Sequence, residues 1–195
     1  MTALSAYRQL CNASGAELEQ VFQRGEAPDP AALAGHEYRG YNHPRRMALL
    51  RARKFAKGFT VDADGVGGYN IPVVQNGVDG EWLARPSPDR PRHFGFFRVT
   101  PVDPRSRDNA HLHAVLLDYG AAHNPRLGVV RAIRDYLVSV EAGSVELLLG
   151  KAYLAVGPAR IDTSLGPQRR GASPQECKRC SARSQKQPAE QSDDR

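Results

Sequence analysis

The chain has 195 residues, of which 41% are hydrophobic and 25% charged, with only 3 Cys. This length predicts one domain with a sizeable core, and no apolar run approaches the roughly 18 residues that a membrane-spanning helix requires. The N-terminus lacks a basic segment followed by an apolar one, and the few cysteines make no disulfide framework. We therefore expect a soluble, cytoplasmic protein without a membrane span.

The formal net charge of +6 divides evenly between the bulk of the chain and its end. Residues 1–164 hold 20 Lys and Arg against 17 Asp and Glu, and residues 165–195 hold 7 against 4. A domain this mildly basic argues against nucleic-acid binding. The last segment contains no aromatic residue. Because it cannot bury enough apolar area to offset the entropy of ordering its backbone, we expect residues 162–195 to be a disordered tail.

Two short helices are predicted within an N-terminal helical segment that spans residues 1–35. Residues 16–24 place apolar side chains at i, i+3 and i+4, with Ser14 positioned as the N-cap and Gly25 as the stop signal. Residues 29–35 begin with Asp-Pro and end with Gly, which is the asymmetry that helices prefer.

Beyond residue 35 the hydrophobic pattern changes to a period of two, which predicts strands. The predicted strands are 55–61, 67–75, 92–100, 111–119, 134–141 and 145–156. Turn signals separate them and no βαβ alternation is visible, so we expect a mainly β domain over residues 36–161. Gly-Pro interrupts the last strand and no aromatic residue follows. We therefore expect a barrel that is incomplete near residues 157–165, with exposed edges prone to association.

Several segments resemble, in the same order, a family of uncharacterised bacterial proteins named for a GxWxG motif. The segments are 22–44, 53–59, 117–119, 134–137 and 148–151. Tyr38 stands where the motif has Trp, and the spacing from Gly35 carries one extra residue. The resemblance implies a small calycin-like, lipocalin-like antiparallel β-barrel whose lumen takes one apolar or amphipathic molecule. It implies no established enzymatic activity.

The fold and the resemblance favour a small-molecule-binding barrel without catalysis. The candidate ligand contacts are aromatic and histidine side chains of the predicted β domain: Tyr38, Tyr41, Tyr69, Phe94, Phe96, His111, His113 and Tyr119. Within residues 92–100, strand alternation predicts that Phe94 and Phe96 are buried on one face, with His93 and Phe97 on the other. Tyr41 and Tyr69 each belong to a Gly-Tyr-Asn-x-Pro sequence, which is also typical of a plain strand end.

Two other function classes stay open. A small barrel enzyme would use the cluster of His111, His113 and Asp118. The two histidines are expected on one strand face, because side chains two residues apart share a face. A basic run without acids extends over residues 45–57 and includes Arg45, Arg46, Arg51, Arg53 and Lys57. A solvated surface is the preferred interpretation of this run, and an anion- or nucleic-acid-binding surface is the alternative.

No metal site and no cofactor are predicted. The paired histidines lack a compelled third ligand, and the single Cys-x-x-Cys at residues 177–180 lacks the second pair that zinc requires. Nucleophile-elbow, P-loop, dinucleotide and zinc-protease motifs are absent from the sequence. The sequence fixes neither the ligand nor the oligomeric state.

Overall fold

The computed structural model describes residues 2–43, 53–126, 128–156 and 159–171. The helices of this part of the chain are α1 (Ala3–Asn12), α2 (Gly15–Arg24) and α3 (Pro30–Leu33). The strands are β1 (Glu37–Tyr41), β2 (Lys54–Asp62), β3 (Gly65–Pro72), β4 (Pro86–Ser87), β5 (Arg90–Pro91), β6 (Phe94–Pro101), β7 (Val115–Asp118), β8 (Ile133–Ser139), β9 (Leu147–Val156) and β10 (Ala159–Arg170). A 3-10 turn, Val129–Ala132, precedes β8.

The predicted N-terminal helices are confirmed. Ser14 caps α2 through a reciprocal capping box with Glu17, and Gly25 ends the helix. α3 begins at Pro30 after the Asp29 N-cap. The sequence patterns did not identify α1. Leu18 of α2 belongs to a buried cluster on the outer face of the barrel, so the helices pack outside the strands.

Eight strands close into an antiparallel barrel in the spatial order β1-β2-β3-β6-β7-β8-β9-β10, with β10 returning to β1. β4 and β5 form a separate hairpin between β3 and β6. Each barrel strand thus pairs with its neighbours along the chain, as in an up-and-down barrel. The predicted antiparallel β-barrel is confirmed.

The prediction that the barrel is incomplete is wrong. β10 continues to Arg170 and pairs with β9 over almost its whole length and with β1 at its end. Leu165 and Gln168, expected in a disordered tail, are buried. A closing strand gains ladder hydrogen bonds on both edges, so it needs fewer apolar side chains than the composition argument assumed. Residues 172–195 lie outside the described residues.

The faces of the strands follow from the register, because residues paired across an antiparallel ladder share a face. Lumen-facing residues form one apolar cluster: Leu33, Tyr38, Phe59, Phe97, Val99, Val115, Leu117, Tyr119, Leu137 and Leu148. Leu33 covers one end of the barrel, where the Gly35 N–H donates to the Phe59 carbonyl over 2.9 Å. We call the opposite end the mouth; it is the end at which β2, β6, β8 and β10 begin.

The predicted burial of β6 is also wrong. Phe97 is 1% exposed, whereas Phe94 and Phe96 are 39% and 38% exposed. The ladder between β3 and β6 shifts between Gly68 and Asn70, and Gly95 adopts a φ of 56°. This bulge interrupts the strict alternation on which the prediction depended.

The predicted strand 111–119 is shorter than expected. β7 begins at Val115, while His111 and His113 lie in the turn that leads into it. The predicted strands 134–141 and 145–156 correspond to β8 and β9, which pair with each other, and Gly143 in the turn between them has a φ of 71°. No helix among the described residues has the length and apolar character needed to cross a membrane.

Candidate functional site

A lysine and an aspartate form an ion pair inside the lumen. Lys57 lies on β2 between the inward-facing Phe55 and Phe59, and Asp135 lies on β8. The Lys57 Nζ donates a short hydrogen bond to Asp135 Oδ2. The two side chains are 1% and 9% exposed. Burial of two charges is costly, so this pair defines the polar centre of the barrel.

Tyr119 and Asn70 extend the polar centre toward the mouth. The Asn70 Nδ2 donates to the Tyr119 hydroxyl oxygen over 3.2 Å and to the Gly95 carbonyl over 2.9 Å. Tyr119 also interacts directly with Lys57. Asn70 is half-buried whereas Tyr119 is buried, so Asn70 is the member of this group nearest to solvent. We call Lys57, Asp135, Tyr119 and Asn70 the lumen cluster.

The charge states of the lumen cluster follow from its burial and its partners. Burial opposes the charge on Lys57, but the Asp135 carboxylate and the Tyr119 oxygen outweigh it and hold the lysine pKa above its ordinary value. Burial raises the pKa of Tyr119, and Asp135 raises it further although Lys57 opposes the rise. The Lys57–Asp135 contact is an ion pair without net charge, and the Tyr119 hydroxyl beside it keeps its proton at neutral pH.

Two further polar side chains reach the lumen from β1 and β10. The hydroxyl of Tyr38 and the Oε1 of Gln168 are buried and have no hydrogen-bond partner among the described residues. Gly150 leaves space for the Gln168 side chain. A Cβ at position 150 would lie 2.5 Å from Gln168 Nε2 and 3.3 Å from Asp135 Oδ1. Buried polar atoms of this kind are rare in native proteins and are available to a polar group of a ligand.

The lumen differs between its two ends. Toward Leu33 it is filled by buried apolar side chains. Toward the mouth, the inward-facing positions are half-buried, and they include Phe55, Pro72, Ile133 and Leu154. The register also pairs the exposed Phe94 with Asn70. An apolar, partly exposed wall thus leads down to the polar floor formed by the lumen cluster.

Of the eight predicted ligand contacts, the structure brings Tyr38 and Tyr119 into the lumen. The register places the exposed Phe94 on the same face, at the mouth. Tyr41 lies on the outer face in a cluster with residues of α1. Tyr69 also points outward, where its ring stacks on His93 at 3.7 Å. Tyr69 and Phe96 line a shallow outer groove of about 470 Å³ instead of the lumen.

The predicted histidine cluster is divided between two places. His111 and His113 pack edge-on against Phe22 of α2 on the outside of the barrel. Asp118 lies at the other end of β7, with its Oδ1 3.6 Å from Arg134 Nη1. Among the described residues, no group of three or more His, Cys, Asp or Glu side chains is arranged to hold a metal ion.

Most of the predicted anion surface lies outside the described residues, including Arg45, Arg46 and Arg51. Arg53 is described, and its guanidinium lies 4.8 Å from the centre of the Tyr41 ring. Lys57, which belongs to the same basic run in the sequence, is buried in the lumen rather than solvated.

Sequence reasoning missed Lys57, Asp135, Asn70 and Gln168. A usable signal exists for the first two, because Lys57 alternates with Phe55 and Phe59 and Asp135 occupies a core position of β8. A charged residue in register with core residues of a strand is a marker of a buried polar site. Gln168 was not accessible to that reasoning, since its strand was not predicted.

Comparison with known protein families, curated proteins and solved structures finds no match for this chain. The functional argument therefore depends on the geometry of the barrel.

Proposed function

We propose that the protein binds one small amphipathic molecule in the mouth half of the barrel. The apolar part of the ligand lies against Ile133, Leu154 and Phe55, and its polar group meets the lumen cluster. Eight-stranded barrels have a lumen that side chains can fill or that can hold a single small ligand, and the asymmetry between the two ends of this lumen supports the second use at the mouth.

The observation that carries the proposal is the buried ion pair between Lys57 and Asp135. A buried ion pair is a weak source of stability, since hydrophobic residues of similar volume often do as well or better. Its position below a half-buried apolar wall favours a role in recognition. Pockets with apolar walls and a few converging polar groups are the usual form of small-molecule sites.

The lumen cluster also sets the chemical class of the polar group. Because Lys57 and Asp135 neutralise each other, a charged head group would bring an uncompensated charge into the barrel. A hydroxyl or carbonyl group is matched instead. The Tyr119 hydroxyl, which accepts from Asn70, still has its own proton to donate, and Asp135 and the Asn70 Oδ1 offer acceptor lone pairs. The ligand class is therefore an uncharged alcohol, ketone or amide with an apolar body.

The proposal agrees with the resemblance to the GxWxG family. Lys57 lies within residues 53–59, one of the segments on which that resemblance is based. The family resemblance and its implied lipocalin-like ligand binding remain part of the proposal.

Native mass spectrometry of the purified protein tests this function. Wild type and Val129→Asp, a change at an exposed position of the 3-10 turn, are expected to carry the same small-molecule adduct. Ile133→Asp places a charge on the wall and is expected to lose it. Bare chain mass for the wild type, both as purified and after incubation with 1-octanol, would contradict the proposal.

Acid–base catalysis on the bound molecule is a second candidate function. The geometric basis for it is the Tyr119 hydroxyl, which accepts a hydrogen bond from Asn70 and interacts with Lys57 and would be the group that donates a proton to the ligand. Conversion of the recovered adduct by wild type, with a much larger loss of conversion than of binding in Tyr119→Phe, would support catalysis. Recovery of an unchanged adduct after incubation would show binding without catalysis.

A further inference from the structure

One inward-facing side chain of the lumen has a hydrogen-bonding atom that the fold does not use. Gln168 lies on β10 and is 2% exposed, and its Oε1 is a buried acceptor without a hydrogen-bond partner among the described residues. A buried acceptor left unpaired costs free energy that an apolar side chain of the same shape would not. In the wall of a binding site, such an atom is available to a ligand that donates a hydrogen bond.

The neighbouring strand places Gln168 beside the polar centre. Gly150 of β9 leaves open the point at which its Cβ would lie, and both Gln168 Nε2 and Asp135 Oδ1 approach that point, at 2.5 and 3.3 Å. The amide nitrogen thus lies on the side of the Asp135 carboxylate. The charge of that carboxylate favours this orientation, because the amide nitrogen is a donor and the carboxylate an acceptor. The oxygen end of the amide is therefore the end that has no partner.

The apolar wall adjoins Gln168 on its other side. Gln168 pairs with Gly40 of β1 in the register of the ladder, and Gly40 pairs with Phe55 of β2. The Phe55 ring occupies the space at Gly40, since a Cβ at position 40 would overlap it. Gln168 therefore lies where the apolar wall meets the polar centre. The polar group of an amphipathic molecule bound along that wall reaches this place.

The donor that complements Gln168 Oε1 lies on another wall of the lumen. Tyr119 follows β7, and its hydroxyl accepts from Asn70 while its own proton remains to be donated. β8 and β9 separate β7 from β10 around the barrel, so the donor and the acceptor are offered from different walls. A hydroxyl group has one oxygen atom with which to meet both. A primary carboxamide has its acceptor and its donor on two separate atoms.

We infer that Gln168 makes the mouth of the lumen selective for a primary carboxamide with an apolar body. The inference rests on the proposed lumen function and narrows its ligand class. The ligand carbonyl accepts from the Tyr119 hydroxyl, and the ligand amide N–H donates to Gln168 Oε1. A ketone of the same shape meets Tyr119 but leaves Gln168 Oε1 unpaired. A site with an unpaired polar group discriminates against such a ligand.

Octanamide and 2-nonanone test this selectivity, because a methyl group of the ketone replaces the amide nitrogen. Each compound is titrated into methyl-labelled protein, and the ¹H–¹³C signal of Ile133 gives its Kd. The wild type is expected to bind octanamide more tightly, although the ketone is the more apolar molecule. The ratio of the ketone Kd to the amide Kd is expected to fall by about tenfold or more in Gln168→Met, which keeps a similar volume without the amide. Gln23→Met, at an exposed position of α2, is the matched control and should keep the wild-type ratio.

The outcomes distinguish this inference from the proposed function. If both compounds shift Ile133 but the wild type binds octanamide no more tightly, the selectivity is overturned while lumen binding stands, and this comparison needs no variant. An unchanged ratio in Gln168→Met, or an equal fall in Gln23→Met, overturns the role of Gln168 in the same way. An Ile133 signal of the wild type that neither compound moves would overturn the lumen function, and the inference with it.

Discussion

Lys57 and Asp135 are joined across the diameter of the barrel. They are 78 residues apart in the chain, and β2 and β8 are each separated by three strands in both directions around the closed sheet. The ion pair therefore connects opposite walls of the lumen and determines the polarity of its floor. The proposed function depends on this contact more than on any other.

Removing one member of the pair should be costly, whereas removing both should cost much less. Lys57→Met leaves Asp135 charged and buried, and we expect a loss of about 3–5 kcal/mol in the free energy of unfolding. The double variant Lys57→Met/Asp135→Leu is expected to recover most of that loss, as measured by urea denaturation. The exposed pair at Arg98 is the control, where Arg98→Gln should cost less than about 1 kcal/mol. A similar small loss for Lys57→Met would show that the pair is not buried.

The free energy of unfolding should decrease as the pH falls, because His111 takes up a proton more readily in the unfolded chain. Burial, with the nearby positive charge of Lys151 and the neighbouring His113, lowers the pKa of His111 from 6.5 to about 4. The unfolded chain therefore binds a proton more readily than the folded one between these values, and stability is present above pH 6.5 and lost as the pH falls through about 4.

His111→Phe keeps the aromatic contacts with Phe22 and Tyr136 and removes the titration. Its free energy of unfolding is expected to change less between pH 7 and pH 4 than that of wild type. His123→Asn, at an exposed position, serves as the control and should follow wild type. Parallel pH profiles for all three proteins would rule out a depressed pKa at His111.

The barrel form emerged from the sequence because period two is a local property. Alternation and turn residues sufficed to predict six of the strands, one of which carries Tyr119. Tyr38 was also named as a ligand contact, although its strand, β1, was not among those predicted. Lys57 was assigned to a solvated or anion-binding basic run, since its partner lies on the opposite wall. No local pattern carries that information, which depends on the closure of the whole sheet.

Two errors have distinct physical causes. In β6, a one-residue bulge at Gly95 changes which phenylalanine is buried, and alternation cannot anticipate it. In β10, the backbone hydrogen bonds to β1 and β9 stabilise the strand, although few of its side chains are apolar. A composition argument counts only side chains, so it ended the domain too early.

The corrected register of β6 predicts opposite outcomes for two adjacent phenylalanines. Phe97 packs edge-on against Phe59 in the lumen at 5.4 Å, and Phe97→Ala is expected to cost about 3–5 kcal/mol. Phe96 lies on the outer face, and Phe96→Ala should cost about 1 kcal/mol or less. Chemical denaturation of both variants measures the difference. A larger loss for Phe96→Ala would restore the register expected from strict alternation.

The closing strand makes the end point of the domain testable by truncation. A chain ended after Thr163 loses Leu165 and Gln168 with the ladder to β1. We expect its Tm to fall by at least about 10 °C, because a buried leucine alone contributes about 2–5 kcal/mol and each kcal/mol shifts Tm by roughly 2–4 °C at this size. The matched control ends after Gly171 and retains every described strand. Equal Tm values for the two truncated chains would show that β10 does not close the barrel.

The central claim is that the mouth half of the lumen takes an uncharged amphipathic molecule. The chain has three isoleucines, and their methyl signals sample separate places: Ile133 on the inner wall, Ile71 buried on the outer face and Ile161 exposed at the start of β10.

Titration of methyl-labelled protein with 1-octanol, followed by ¹H–¹³C NMR, is the most direct measurement. The account predicts a saturable shift of the Ile133 signal with little change at Ile71, and a weaker effect of octanoate, whose charge the neutral lumen cluster does not match. An Ile133 signal that stays unmoved by 1-octanol, or that moves no more than the Ile71 signal, would contradict the account.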